Sequence, residues 1–483
     1  MSSSLNKNVL LVFLLLVSLV IYWDLCGLDA VNGWTPVLLF LRDMAGLFAV
    51  YWIAFCAVRN DAKTSATTVA LILAGAILFR LALLPAGLHL SPSNPRLSAA
   101  IIADVTGERV AFDRFQLFDC DVWRYLWDGH VWAHGYNPYR FPPVHPDLSD
   151  LAAAEPTAAT DQLPIWGDIR ENIHYRELPT VYPPAAEVLF RLSHFLAPGS
   201  VLVMKMLIVA FDLGTIGVIM LALRATGMPV SHAILYAWNP LVVKVFAGSA
   251  HYDSLLTLLL AGVALAIILN WRFAAGALVG LSILSKLAPI VLIPFLYRRG
   301  GWRSLAICGA VVLLGIIPIY HSSADGLAGF AEFGRSWKFN AGPYALIETS
   351  VRILGLPDFT MLARAISACF IILGLFALDR ADRGLPRDFA RLGAWALGAV
   401  IVFSPVVNPW YVTWTLPFAV LSQRYEWLGM SALVCLAFLV MVSGEEFEWV
   451  LYLEYGLFAA VVISGIGSKP DIRRWLRKGV SIA

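Results

Sequence analysis

Residues 9–26 read VLLVFLLLVSLVIYWDLC, an apolar run as long as a bilayer core is thick. Lys7 stands just before it and no small-residue cleavage pattern of the Ala-x-Ala kind follows it. The segment is therefore expected to stay attached as a first membrane pass. Working outward, comparable runs lie near 36–57, 66–88, 202–223, 231–248 and 254–270. Others follow near 304–320, 361–378, 392–407, 411–422, 427–442 and 448–466, several short and interrupted by proline, so that neighbouring helices must shield them. Residues 274–298 hold two apolar stretches broken at Ser285-Lys286-Leu287-Ala288-Pro289, the pattern of a hairpin or broken helix. Counted as two passes, the hairpin brings the expected total to about 12–14 spans of an all-α polytopic membrane protein.

Composition agrees. Of 483 residues, 59% are hydrophobic and 14% charged, which excludes the ordinary soluble class. With the hairpin counted twice, the basic loops gather on one side: Arg59 and Lys63, Arg224, Arg272, Arg298 with Arg299 and Arg303, Arg380 to Arg391, and the Lys469–Lys478 tail. That side is the cytoplasm by the positive-inside rule. The opposite side receives a loop over 91–200, the Ala250-His251-Tyr252-Asp253 turn, the 321–360 segment, the Asn408-Pro409-Trp410-Tyr411 turn and the acidic turn of Glu445, Glu446 and Glu448. The net charge of +2 follows from this topology, so no nucleic-acid partner is implied. Five of the six cysteines lie in or beside apolar segments and only Cys120 stands in the large loop, so neither a disulfide nor a zinc framework is spaced here.

No repeat of fixed period interrupts the chain. It divides into two N-terminal passes (1–65), a membrane domain (66–466) carrying the external loop 91–200, and a basic cytoplasmic tail (467–483). A connection of that length is usually functional or disordered, and the aromatics of Asp119 to Phe141 argue against disorder. Apolar residues at Val122, Tyr125, Leu126, Val131 and Trp132 are spaced for an amphipathic helix at the interface over Asp121 to His134. Asn137-Pro138 stops it. A second external helix, too short and polar to span, is expected from about Ala185 to Leu196.

The densest chemistry is Phe118-Asp-Cys-Asp-Val-Trp-Arg-Tyr-Leu-Trp-Asp-Gly-His130, with three carboxylates, an arginine and a histidine. On a helix Asp121, Arg124, Tyr125 and Asp128 share a face. A carboxylate there suits a general base and the arginine suits a phosphate, although an ion-paired interfacial helix is the equal alternative. His251 and Asp253 suit either a ligand or a helix cap. Arg80, inside an apolar span, is expected to pair within the bundle.

Asp121-Val-Trp-Arg-Tyr-Leu-Trp-Asp-Gly, Gly135-Tyr-Asn-Pro-Tyr and Leu178-Pro-Thr-Val-Tyr-Pro-Pro together resemble the signature of GT-C glycosyltransferases, most closely the bacterial polyprenyl-phosphate-dependent mannosyltransferases. The similarity continues through Trp238-Asn-Pro, Gly248-Ser-Ala-His251-Tyr-Asp253, Ser285-Lys286-x-x-Pro289, Trp337-x-x-Asn340 and Ser404-Pro-x-x-Asn408-Pro409-Trp410-Tyr411, covering roughly residues 66–465. The resemblance implies a GT-C-type helical bundle with a catalytic first external loop. It also implies an inverting transfer of a hexose, mannose first, from a polyprenyl-phosphate-linked donor to a hydroxyl of a glycolipid, glycan or protein acceptor, among membrane lipids at the outer face of a bacterial inner membrane.

By this resemblance Asp121 is the base and Asp119 the runner-up, since Cys120 stands where related chains often carry a second acidic residue. Lys286 is the first candidate for the donor phosphate, because a lysine at the apex of a broken helix is costly in lipid without an anionic partner; Arg124 and His251 come second. Asp128, Tyr182, Asp253, Asn340, Trp410 and Tyr411 are expected to bind sugar or acceptor. No metal or other cofactor is expected. Two other readings share the composition: a lipid or lipid-linked-sugar flippase or transporter, which predicts broken helices in corresponding positions of two halves, and a non-catalytic membrane scaffold.

Overall fold

The computed structural model describes residues 2–28, 34–61, 63–89, 111–112, 117–153, 165–317, 327–443 and 449–467. The acidic turn of Glu445, Glu446 and Glu448 and the basic tail lie outside the described residues. What is described is an all-α polytopic membrane protein. Ser2–Cys26, Trp34–Val58, Ala66–Leu83, Val201–Ala225 and Phe359–Arg380 are each long and apolar enough to cross a membrane. A sixth span is bent by 54° where Val230–Ala237 meets Pro240–Gly248, with Asn239 accepting hydrogen bonds from the amides of Leu241 and Val242 at the break. Leu88–His89 and Ala111–Phe112 form a two-residue antiparallel pairing, the only one among the described residues.

The 12–14 passes expected from the sequence are thus a mixture of whole spans and pieces. Asp253–Ile268, Arg272–Ser285, Tyr425–Met441 and Trp449–Ser464 are apolar but shorter. The 411–422 segment is a tight 3₁₀ turn, Pro409–Thr415, running into a short helix, Leu416–Ser422. Irregular backbone at membrane depth is tolerated where protein surrounds it, and Leu416 to Leu421 are all buried.

The break expected at Ser285–Pro289 is present, between two short limbs. The first limb, Arg272–Ser285, has 14 residues and rises about 21 Å, and the second turns at Gly301 (φ 66°) after a similar distance. Both fall short of a hydrocarbon core of about 30 Å. Lys286 stands at the apex between the two limbs, and because the hairpin returns to the side it left, it leaves the parity of the remaining loops unchanged.

Arg80 and Asp212 join Ala66–Leu83 to Val201–Ala225 by an ion pair of 2.6 Å with both side chains wholly buried. Arg80 Nη1 also donates to the carbonyls of Ala76 and Ala237, each at 2.9 Å. Removing one partner of a buried pair strands the other charge, at a cost of roughly 3–5 kcal/mol, whereas an apolar pair of similar volume is often neutral. Asp212→Ala is therefore expected to lower the unfolding temperature sharply in detergent, and Arg80→Met/Asp212→Leu to recover most of the loss. Equal losses in both variants would refute this account.

In the long loop, Asp121–Ala133 does not lie on a surface as its spacing suggests: Val122 to Val131 are all buried. Pro184–Leu196 covers it, Tyr125 stacking on Phe190 at 4.5 Å. The two backbones approach so closely at Gly129 that any side chain there would strike the Phe190 carbonyl. Pro184–Leu196 is the interfacial helix, exposing an apolar stripe of Val188, Leu192 and Phe195.

Candidate active site

A cavity of about 1280 Å³ opens between the start of the loop helix, the Lys286 break and the Asn408–Trp414 turn. Asp119, Asp121, Arg124, Tyr182, Lys286, Trp410 and Tyr411 all line it.

The chain delivers its acidic pair through two left-handed residues, Leu117 (φ 48°) and Phe118 (φ 69°). Asp119 then turns inward. Its Oδ1 accepts from the Asp121 amide at 2.9 Å, and its Oδ2 lies 2.6 Å from His251 Nε2. Burial pushes the Asp119 carboxyl up, but the charge and hydrogen bond of His251 outweigh it and hold the carboxyl below its ordinary value. Asp121 has the opposite setting. Its side chain is 36% exposed to the cavity, and burial, followed by repulsion from Asp119, pushes its carboxyl up to about 6, against the pull of His251 and Lys286. Two neighbouring carboxylates thus have their affinities for a proton driven apart, the pattern that separates roles at active sites.

His251 comes from a distant part of the chain. The Pro240–Val243 helix widens into a π turn over Lys244–Gly248, and Ala250 adopts φ 60°, which swings His251 beneath Asp119. Its ring stacks on Trp410 at 3.6 Å, and its Nδ1 lies 4.0 Å from Asp121 Oδ2. His251 is fully buried behind the cavity wall, so its contact is with the carboxylates.

Lys286 Nζ lies 3.4 Å from Asp253 Oδ1 and sits over the rings of Tyr252 and Tyr411, both at 4.9 Å, and of Trp414 at 5.6 Å. Trp414 Nε1 donates to the same Asp253 oxygen at 2.7 Å. Asp253 is wholly buried and anchors the cage from behind. Arg124 Nε reaches both oxygens of Asp128 at 2.8 Å and its Nη1 donates to Leu178 O at 3.1 Å. Its Nη2 is buried without a partner among the described residues. Asp128 lies behind Arg124 and off the cavity, next to Glu187, whose carboxyl burial and Asp128 push well up and which accepts from Thr180 Oγ1 at 2.7 Å. The Leu178–Pro184 motif is in this way fixed to the loop helix, with Tyr182 facing the cavity.

Asn340 is not brought to the site. Its Nδ2 donates to Glu454 Oε1 at 3.1 Å and its carbonyl accepts from Tyr455 at 2.9 Å, tying its strand-like segment to the last helix. Tyr252 and Trp414, which form part of the lysine cage, were not singled out from the sequence. Tyr252 lies between His251 and Asp253 in a motif already singled out, and Trp414 follows Tyr411 by three residues, which in a 3₁₀ turn places the two rings one above the other, at 4.3 Å. Asp119, Asp121 and His251 each offer an atom within 4.8 Å of the others, a set that can also hold a divalent cation.

A carboxylate titrating near neutrality, supported by a second one and facing a cavity with a caged lysine, can take a proton from a hydroxyl while the cation receives an anionic group. Comparison with known proteins bears on which reaction this is. Residues 51–299, more than half of the chain, match the family described as alpha-(1->6)-mannopyranosyltransferase, N-terminal domain, and residues 352–466 match the MptB C-terminal domain. No curated protein and no solved structure matches the chain. The protein is a mannosyl-transferring glycosyltransferase and belongs to the alpha-(1->6)-mannopyranosyltransferase family.

Proposed function

We propose that the protein transfers mannose, with inversion, from a polyprenyl-phosphate-linked donor to a hydroxyl of a glycolipid, glycan or protein acceptor at the external face of a bacterial inner membrane, within a GT-C-type bundle. The observation that carries this reading is the opposed pair on the cavity wall, Asp121 with its raised carboxyl and Lys286 in its aromatic cage. In the reaction the acceptor oxygen attacks the anomeric carbon as its proton passes to Asp121. The bond from that carbon to the phosphate oxygen breaks, and the electron pair leaves with the phosphate, next to Lys286. Inversion at a β-linked donor gives an α product, the configuration in the family's description, and its 1→6 linkage points to a primary hydroxyl of the acceptor.

The cavity is lined by Lys286, Leu287 and Ala288 at the hairpin apex, which supports a donor whose lipid tail stays in the bilayer while its headgroup enters the cavity. No cofactor is needed in this reading, since the donor carries its own leaving group. Arg124, with one nitrogen unsatisfied at the wall, is the second phosphate contact, and Tyr182, Trp410 and Tyr411 are the sugar-facing surfaces.

The test is reconstitution in proteoliposomes with radiolabelled polyprenyl-phosphate mannose and a membrane-lipid acceptor extract. An α-mannosidase-sensitive product is expected. Transfer only from a nucleotide-linked mannose would overturn the donor assignment, and donor movement across the bilayer without product would favour the flippase.

A further inference from the structure

Three histidines outside the cavity converge in the long loop. His130 and His134 stand one turn apart on Asp121–Ala133, and His194 lies in the last turn of Pro184–Leu196, which packs against it. Each offers one nitrogen, and the three nitrogens lie within 4.8 Å of one another. The ring nitrogens are already sorted by their partners. His130 Nε2 faces the Leu151 carbonyl at 3.3 Å, and His134 Nδ1 faces the His130 carbonyl at 2.9 Å. A carbonyl only accepts, so those nitrogens carry the protons and the other nitrogen of each ring keeps its lone pair.

In His130, 2% exposed, that other nitrogen is Nδ1, which is buried without a partner among the described residues, as is Nδ1 of His194. Orphaned buried nitrogens of this kind are rare unless a bound water or ion satisfies them. Trp166 stacks flat on His130 at 3.6 Å and fixes its plane. A second nitrogen committed to a carbonyl is also how metal-ligating imidazoles are oriented.

We propose that His130, His134 and His194 form a binding site for a borderline-soft divalent transition metal, Zn²⁺ foremost, with solvent as the fourth ligand. Three imidazoles and no carboxylate favour zinc over magnesium or calcium. Zn–N bonds of about 2.0–2.1 Å place tetrahedral ligands about 3.4 Å apart. The remaining closure falls to His134, whose exposed ring can turn about its hydrogen bond to the His130 carbonyl. A metal here would pin the helix that begins with Asp121 to the helix that covers it.

The experiment is calorimetric titration of tag-free, metal-stripped full-length protein in detergent with Zn²⁺, with Mg²⁺ as control and the visible ligand-field bands of Co²⁺ as a second readout. One equivalent of Zn²⁺ is expected, with affinity weakened at least ~100-fold in both His134→Ala and His194→Ala and unchanged in Asp121→Asn. His134 is exposed, so its variant should fold, which the unfolding curve checks. Unaltered affinity in either histidine variant, no binding by the wild type, or loss of the site in Asp121→Asn would each overturn the proposal; the last would assign the metal to the cavity carboxylates. Because the readout is binding, the result is independent of whether the donor assignment above is right.

Discussion

Asp121→Asn is expected to lower the rate of mannosyl transfer by roughly 10²–10⁴-fold, the range ascribed to a positioned general base, with little change in donor binding. The amide keeps the shape of the side chain and loses only the capacity to take a proton. The pH profile supplies an independent check. Asp121 has to be ionised to act, and its carboxyl is pushed up to about 6 by burial and by Asp119. The wild-type kcat/KM should therefore be flat above that pH and fall tenfold for each unit below it. Asp119 is held below the ordinary carboxylate value, so if it were the base the acid limb would begin below about pH 4. Asp119→Asn would then be the silent-for-binding, dead-for-transfer variant. An acid limb that survives in Asp119→Asn, moved to lower pH because the repulsion from Asp119 is gone, together with loss of transfer in Asp121→Asn, assigns the proton to Asp121.

Lys286→Ala is expected to lower kcat by about 10²–10³-fold, the effect of removing one preorganised electrostatic contact to developing charge. This variant also strips Asp253 of its partner, and a stranded buried charge destabilises the fold in its own right. The two losses separate in Lys286→Met/Asp253→Asn, where no charge is stranded. That double variant should regain the wild-type unfolding temperature while transfer stays low, with kcat reduced more than donor KM is raised. Recovery of transfer along with stability would show that Lys286 serves only to neutralise Asp253.

Much of the membrane architecture could be read in the sequence because lipid imposes a strict rule: an apolar run of sufficient length must become a helix. The break at Ser285–Pro289 was equally plain, since proline cannot continue a helix. Its depth was not, because limb length depends on where the chain turns at Gly301. The loop helix was legible from apolar spacing, yet its burial was not, as Pro184–Leu196 arrives from more than fifty residues downstream. The site shows the same division. Asp119, Asp121 and Arg124 are local neighbours in one motif. The contact of His251 with Asp119 spans 132 residues, and that of Asn340 with Glu454 spans 114. No periodicity encodes such pairings, so neither the contact of His251 with Asp119 nor that of Asn340 with Glu454 could be read from the sequence.

The π turn at Lys244–Gly248 constrains how this lineage can vary. A π turn holds one residue more than the α-helix would, and such turns recur at functional sites. Deleting any one residue between 244 and 248 would restore regular helix, and would also rotate everything after it by about 100°, carrying His251 away from Asp119. Side chains along this stretch are free to drift so long as they pack; the number of residues is not. Insertions and deletions should be absent between Asn239 and His251 in any relative that keeps the Asp119–His251 contact, even where the residues themselves have changed.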